Sequence, residues 1–180
     1  QLRIGFSKTI SLPEGCPGLT ALGNAAFRMC KKLETPLDFS KSVFTELPTY
    51  ALVDLQKVSE IRLPETLTTL GTECLRYHAG ERVIWFYGSP PTSVAGTALQ
   101  PVTSPVSPWV LVAAVKHAAE WKNDERVLPF EGEEQSAAVA AAKALGLARV
   151  KPIGKWTTGT SGAKHWVVEE LPATTLILIK

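Results

Sequence analysis

The chain has 180 residues, 45% of them hydrophobic, which suffices for one sizeable core or for a repetitive stack with a small appended module. The 19 Lys and Arg against 17 Asp and Glu leave a formal charge of +2, and no basic cluster exceeds the pair Lys31-Lys32, so there is no electrostatic footprint for nucleic acid. No window approaches 18 uninterrupted apolar residues, which leaves no candidate membrane-spanning helix.

The sequence starts at Gln1 without Met and shows no basic segment leading into an apolar one. It reads as a processed chain or a piece of one, with any targeting signal outside view, so export or anchoring stays open. Cys16, Cys30 and Cys74 are odd in number and lack C-x-x-C spacing. They are expected to be small buried hydrophobes, not a disulfide framework.

Self-comparison of the chain reveals a period. Leu22-Gly23, Leu47-Pro48, Leu70-Gly71 and Val94-Ala95 follow one another at steps of 25, 23 and 24 residues. Four residues after each leading residue comes Ala26, Ala51, Cys74 or Ala98, each followed by Phe27, Leu52, Leu75 or Leu99. Further on, apolar residues recur as Leu33-Leu37-Phe39, Val58-Ile61-Leu63 and Val83-Ile84-Phe86. Ile61-x-Leu63 and Ile84-x-Phe86 have period 2, so each marks a short strand with one face buried. Pro64 has no N–H for a neighbouring strand and ends the pairing. Leu67-x-x-Leu70-Gly71-x-x-Cys74-Leu75 has three- and four-residue spacing, which predicts one or two helical or 3₁₀ turns. No unit of about 24 residues could bury its apolar face alone, whereas stacked units share a continuous core.

The segment 63–75, LPETLTTLGTECL, resembles the BspA-like leucine-rich repeat, and 19–33, LTALGNAAFRMCKKL, is similar to it almost column by column. Cys30 stands at that family's ladder cysteine; His78 occupies the later equivalent, and Pro48 replaces the turn glycine. Trp85–Thr92 resembles the opening of a last repeat, and Trp109–Lys122 resembles the terminal strand and helix. The resemblance covers about residues 10–125. It implies an α/β leucine-rich-repeat solenoid over residues 1–125 and a non-catalytic protein-binding or adhesion module. It further implies export or surface display, with a partner such as a host or extracellular-matrix protein.

From Glu120 the period is lost. Ser107 to Trp121 reads as a strand running into a helix, and the Ala-rich run Glu133 to Leu145 as a helix stopped by Gly146. Val150–Trp156, Lys164–Glu170 and Thr174–Ile179 read as three short strands. Residues 126–180 would thus be a C-terminal α+β cap or a separate small module.

Catalytic chemistry is weakly signalled. Gly154 to Thr160 has the glycine spacing of a phosphate-binding loop, but Thr160 stands where lysine must reach the phosphates, so a hairpin turn is the reading. Gly159-Thr160-Ser161-Gly162-Ala163 lacks the last glycine of a nucleophile elbow, and no base and acid are marked for it. His78, His117 and His165 are scattered without ligand spacing, so no metal or other cofactor is expected. Glu131-Gly132-Glu133-Glu134 fits a helix start, where the dipole favours acids.

Between the inward strand residues, Asp38, Arg62, Trp85 and Leu111 are expected to form an outward row, with Tyr87 beside Trp85. Trp, Tyr and Arg dominate interface hot spots, so this row is the candidate protein-binding face. The alternative from another class is a structural subunit or spacer domain of a larger protein or assembly.

Overall fold

In the strand Glu60–Leu63 the residues Ile61 and Leu63 are buried while Glu60 and Arg62 are half-buried on the other face, the alternation that period-2 apolar spacing demands. The computed structural model describes residues 9–76, 82–99, 109–113, 115–124, 127–128, 140, 150–156 and 165–170. In chain order these include β1 (Leu37–Asp38), β2 (Glu46–Leu47), β3 (Glu60–Leu63), β4 (Thr69–Leu70), β5 (Arg82–Phe86), β6 (Ser93–Val94) and β7 (Trp109–Ala113). A 3₁₀ turn (Val115–His117), α1 (Ala118–Asn123), β8 (Val127–Leu128), β9 (Val150–Trp156) and β10 (His165–Glu170) follow.

The chain visits two sheets in alternation. One sheet has the order β1-β3-β5-β7-β10-β9-β8 and the other β2-β4-β6. Through β7 all pairing is parallel: Leu37, Ile61, Ile84 and Leu111 stand in register in the larger sheet, and Leu47, Leu70 and Val94 in the smaller. The fold is therefore α/β in type, with mostly parallel strands in two sheets and little helix.

The smaller sheet corrects a sequence expectation. The 67–75 spacing predicts one or two helical or 3₁₀ turns; Thr69–Leu70 is strand β4, and residues 72–75 form a turn with an i→i−3 bond from Cys74 N–H to Gly71 O at 3.3 Å, not an α-helix. The physical reason lies in where the N–H groups go. Every second one leaves its own turn for the next: Ala25 N–H donates to Thr49 O at 3.0 Å, Phe27 to Ala51 at 2.8 Å, Leu52 to Cys74 at 2.9 Å and Leu75 to Ala98 at 2.9 Å. A helix would need those donors for carbonyls four residues back. Ala25, Tyr50 and Glu73, each three residues beyond the leading leucine, also hold φ near +56°, +58° and +50°, outside the helical region.

Pro48 has a local cost. Gly71 N–H donates to Leu47 O at 2.8 Å and Ala95 N–H to Leu70 O at 2.9 Å, but Pro48 has no hydrogen to make the equivalent bond to Leu22. A crevice of about 180 Å³ lies at that place, between Thr20–Leu22 and Phe44–Pro48.

The core between the sheets is continuous from Cys16 to Trp121. Phe27, Phe39 and Phe44 interlock near one end, with ring centroids 6.1 and 5.8 Å apart. At the other end the fully buried Trp121 of α1 lies 4.9 Å from Phe86, and its indole N–H donates to Gly88 O at 3.0 Å. The expected strand-to-helix passage over 107–121 is present as β7, the 3₁₀ turn and α1. The strands expected at 150–156 and 164–170 are β9 and β10, paired antiparallel, and β10 joins β7 in parallel, so the larger sheet continues into them. The helix expected over Glu133–Leu145 lies outside the described residues apart from Ala140, which is helical, and so does the strand expected at Thr174–Ile179.

Candidate functional site

The outer face of the larger sheet carries the row that the alternation of β3 and β5 projects. Asp38, Arg62 and Trp85 stand in register on β1, β3 and β5. Leu111 does not belong to that row. It pairs with Ile84, in line with Leu37 and Ile61, and the residue in line with Trp85 is the buried Val112. The longer segment between β5 and β7 breaks the repeat spacing, so the position in line with Trp85 falls one residue later than that spacing predicts.

Arg62 is the centre of the row. Its Nε donates to Glu60 Oε1 at 2.7 Å, Nη1 lies 3.9 Å from Asp38 Oδ2, and the guanidinium sits 5.6 Å from the centroid of the Trp85 ring. Burial opposes the charged form of Arg62, but the Glu60 carboxylate, with Tyr87 and Asp38, outweighs it and raises the pKa. Trp85 stacks on Tyr87 with centroids 6.1 Å apart and an interplanar angle of 19°. Trp85 is only 6% exposed, so it is not the open aromatic surface that the sequence suggests. Among the described residues its Nε1 is buried without a hydrogen-bond partner. The accessible groups of the row are therefore the carboxylate of Asp38 and the guanidinium of Arg62, with half-buried Tyr87 beside them.

A second cluster, which the sequence reading missed, gathers where the larger sheet's strands end. Lys116 Nζ lies 2.6 Å from Glu65 Oε1, His117 Nε2 lies 3.7 Å from the same oxygen, and His117 Nδ1 is 3.0 Å from Glu120 Oε1 and 3.2 Å from Ser89 Oγ. Lys116 first, then His117, holds the Glu65 carboxyl below its ordinary value; Ser89 first, then His117, does the same for Glu120. A serine, a histidine and a carboxylate in contact suggest a nucleophilic triad, but the geometry does not fit one. Ser89 and Glu120 meet the same ring nitrogen, and the carboxylate on the far nitrogen, Glu65, stands at 3.7 Å, beyond hydrogen-bond distance, and is held by Lys116. The His117/Glu120 spacing of three residues was the only sequence signal, and Glu65 and Ser89 join only through the fold.

Among the described residues no group of three or more His, Cys, Asp and Glu could hold a metal ion. Cys16, Cys30 and Cys74 are free and buried, and burial raises all three thiol pKa values, most strongly at Cys74. Gly154–Trp156 of the phosphate-loop-like segment lie in β9, whereas 157–164, with Ser161, lie outside the described residues, as do His78 and Glu131–Glu134. No described helix is long and apolar enough to cross a membrane.

An apolar crevice of about 370 Å³ opens at the Cys16 end of the core, among Leu12, Cys16, Leu19, Leu22, Phe27 and Phe39. Ile10-x-Leu12-Pro13-Glu14 there repeats Ile61-x-Leu63-Pro64-Glu65, a further turn of the same pattern that the sequence reading left out. Comparison of the chain with family models, curated proteins and solved structures gives no match.

Proposed function

We propose that residues 1–125 form a leucine-rich-repeat solenoid of the BspA-like type and serve as a non-catalytic protein-binding module. The observation that carries the reading is the three-fold agreement of period. Leucine spacing in the sequence, the registers of both sheets and the bonds between turns all advance by about the same number of residues. A surface made of stacked units presents one side chain per unit in a row, which suits the recognition of an extended protein surface. Residues 126–180 act as a cap in this reading, and the partner is a host or extracellular-matrix protein met outside the cell.

The test is direct binding of the immobilised chain to a panel of extracellular-matrix proteins, alongside Asp38→Arg and Arg62→Glu. Loss of binding by about tenfold or more in each variant supports the face, as expected for charge reversal within an interface. Unchanged binding rejects the face, and turnover in a hydrolase-substrate screen rejects the non-catalytic reading.

The closure of the row on itself favours a second reading. Arg62 is already held by Glu60, Asp38 and Trp85, and Trp85 is covered, so the face is largely satisfied internally. A spacer domain in a larger assembly would have such a face, and it would bind nothing in the panel.

A further inference from the structure

The smaller sheet is closed by backbone bonds at every step but its first. Thr68 N–H donates to Thr45 O at 2.9 Å and Gly71 N–H to Leu47 O at 2.8 Å. One turn on, Ser93 N–H donates to Thr68 O at 3.1 Å and Ala95 N–H to Leu70 O at 2.9 Å. The matching acceptors of the first turn are Thr20 O and Leu22 O, and among the described residues neither receives a backbone hydrogen bond. Pro48 has no hydrogen for Leu22 O, and the two turns part there. They stay joined on either side, where Val43 N–H donates to Leu19 O and Ala25 N–H to Thr49 O, both at 3.0 Å. The opening between these bonds, about 180 Å³, therefore admits a side chain but not a strand.

Glu46 lines the same crevice and is exposed. The acids of neighbouring turns, Glu14, Glu34, Asp38, Asp54, Glu60 and Glu73, each meet a lysine or arginine, whereas among the described residues Glu46 meets none. Two carbonyl oxygens and a carboxylate only accept, so the group that satisfies them together is a cation with several hydrogens to donate. A primary ammonium carries three donors on a slim stem, while a guanidinium is a wide planar fork. Ala21, Phe44 and Pro48 wall the crevice and suit the methylenes of such a stem. We propose that the crevice between Thr20–Leu22 and Glu46–Pro48 binds a lysine side chain, its ammonium held by Thr20 O, Leu22 O and the Glu46 carboxylate. That the lysine belongs to a protein partner rests on the binding-module reading; the preference for an alkylammonium rests on the crevice alone.

NMR titration of the whole chain with Nα-acetyl-lysine N-methylamide, followed at the Thr45 and Glu46 amides, tests the site. Saturable shifts are expected, and none with the norleucine analogue, which has a similar stem without the charge. Glu46→Gln weakens binding about tenfold, the scale of a hydrogen bond between charged groups. Pro48→Ala supplies the N–H that Leu22 O lacks and closes the crevice, so binding is lost although Glu46 keeps its charge. No shift with the lysine probe, equal shifts with the norleucine analogue, or binding that is unchanged in either variant overturns the proposal. Failure of the matrix-protein panel with a positive lysine titration would reject the partner and leave the site standing.

Discussion

Gly23 and Gly71 each follow the leading leucine of a well-matched repeat, with the Leu47-Pro48 unit between them, yet the surroundings treat them differently. A Cβ built on Gly71 would lie 2.9 Å from Thr49 N, 3.0 Å from Pro48 C and 3.1 Å from Leu47 O, all backbone atoms of the preceding turn. On Gly23 a Cβ meets nothing within 4 Å. Comfortable carbon contacts begin at about 3.5 Å, so Gly71→Ala must push the two turns apart by roughly 0.5 Å. Backbone atoms cannot swing aside as a side chain would. The strain falls on the 2.8 Å bond from Gly71 N–H to Leu47 O and on the β2–β4 pairing beside it. Overpacking of this kind costs about 1–3 kcal/mol. Gly23→Ala has no such clash and gains by restricting the unfolded chain, so its stability should hold or rise by up to about 1 kcal/mol. Urea unfolding followed by far-ultraviolet circular dichroism measures both, with the wild-type slope as the check that the unfolded surface is unchanged. Equal effects of the two substitutions would refute the stacking of turn upon turn, since sequence alone makes the two glycines equivalent.

Two further outcomes are expected. Trp121→Phe keeps most of the apolar volume against Phe86 but leaves the buried Gly88 carbonyl without its donor, which should cost about 1–3 kcal/mol in the same unfolding assay. A loss below 0.5 kcal/mol, the scale of an ordinary surface change, would mean that α1 does not close the core. Burial keeps the thiols of Cys16, Cys30 and Cys74 protonated, so Ellman's reagent should react slowly with the native chain and with all three thiols in denaturant, Cys74 being the last to react when denaturant is raised gradually.

Much of the core was legible in the sequence. Leu33, Leu37, Phe39, Val58, Ile61, Leu63, Val83, Ile84 and Phe86 repeat in register, and all are buried. Their periodicity is a local property, and burial acts on it directly. The 67–75 segment was legible only as a choice, because three- and four-residue spacing fits a helix, a 3₁₀ turn and a strand followed by a turn equally well. Whether an N–H bonds within its turn or to the next one depends on a neighbour that lies about 24 residues away. The candidate face was legible in part for the same reason: Asp38, Arg62 and Trp85 follow from alternation, while after the longer β5–β7 connection the position in line with Trp85 is Val112, one residue past Leu111.

The period, the buried row and the strand positions at 60–63, 82–86 and 109–113 were readable from residue spacing, because they depend on which residues shun water at what interval. The bonds between turns, the covering of Trp85 and the extension of the larger sheet by β10 beyond β7 arise only when the chain folds. Folding also brings Glu65 and Ser89 to His117, residues 52 and 28 positions apart in the chain. Such contacts depend on the register between turns, and register is set only when the turns stack.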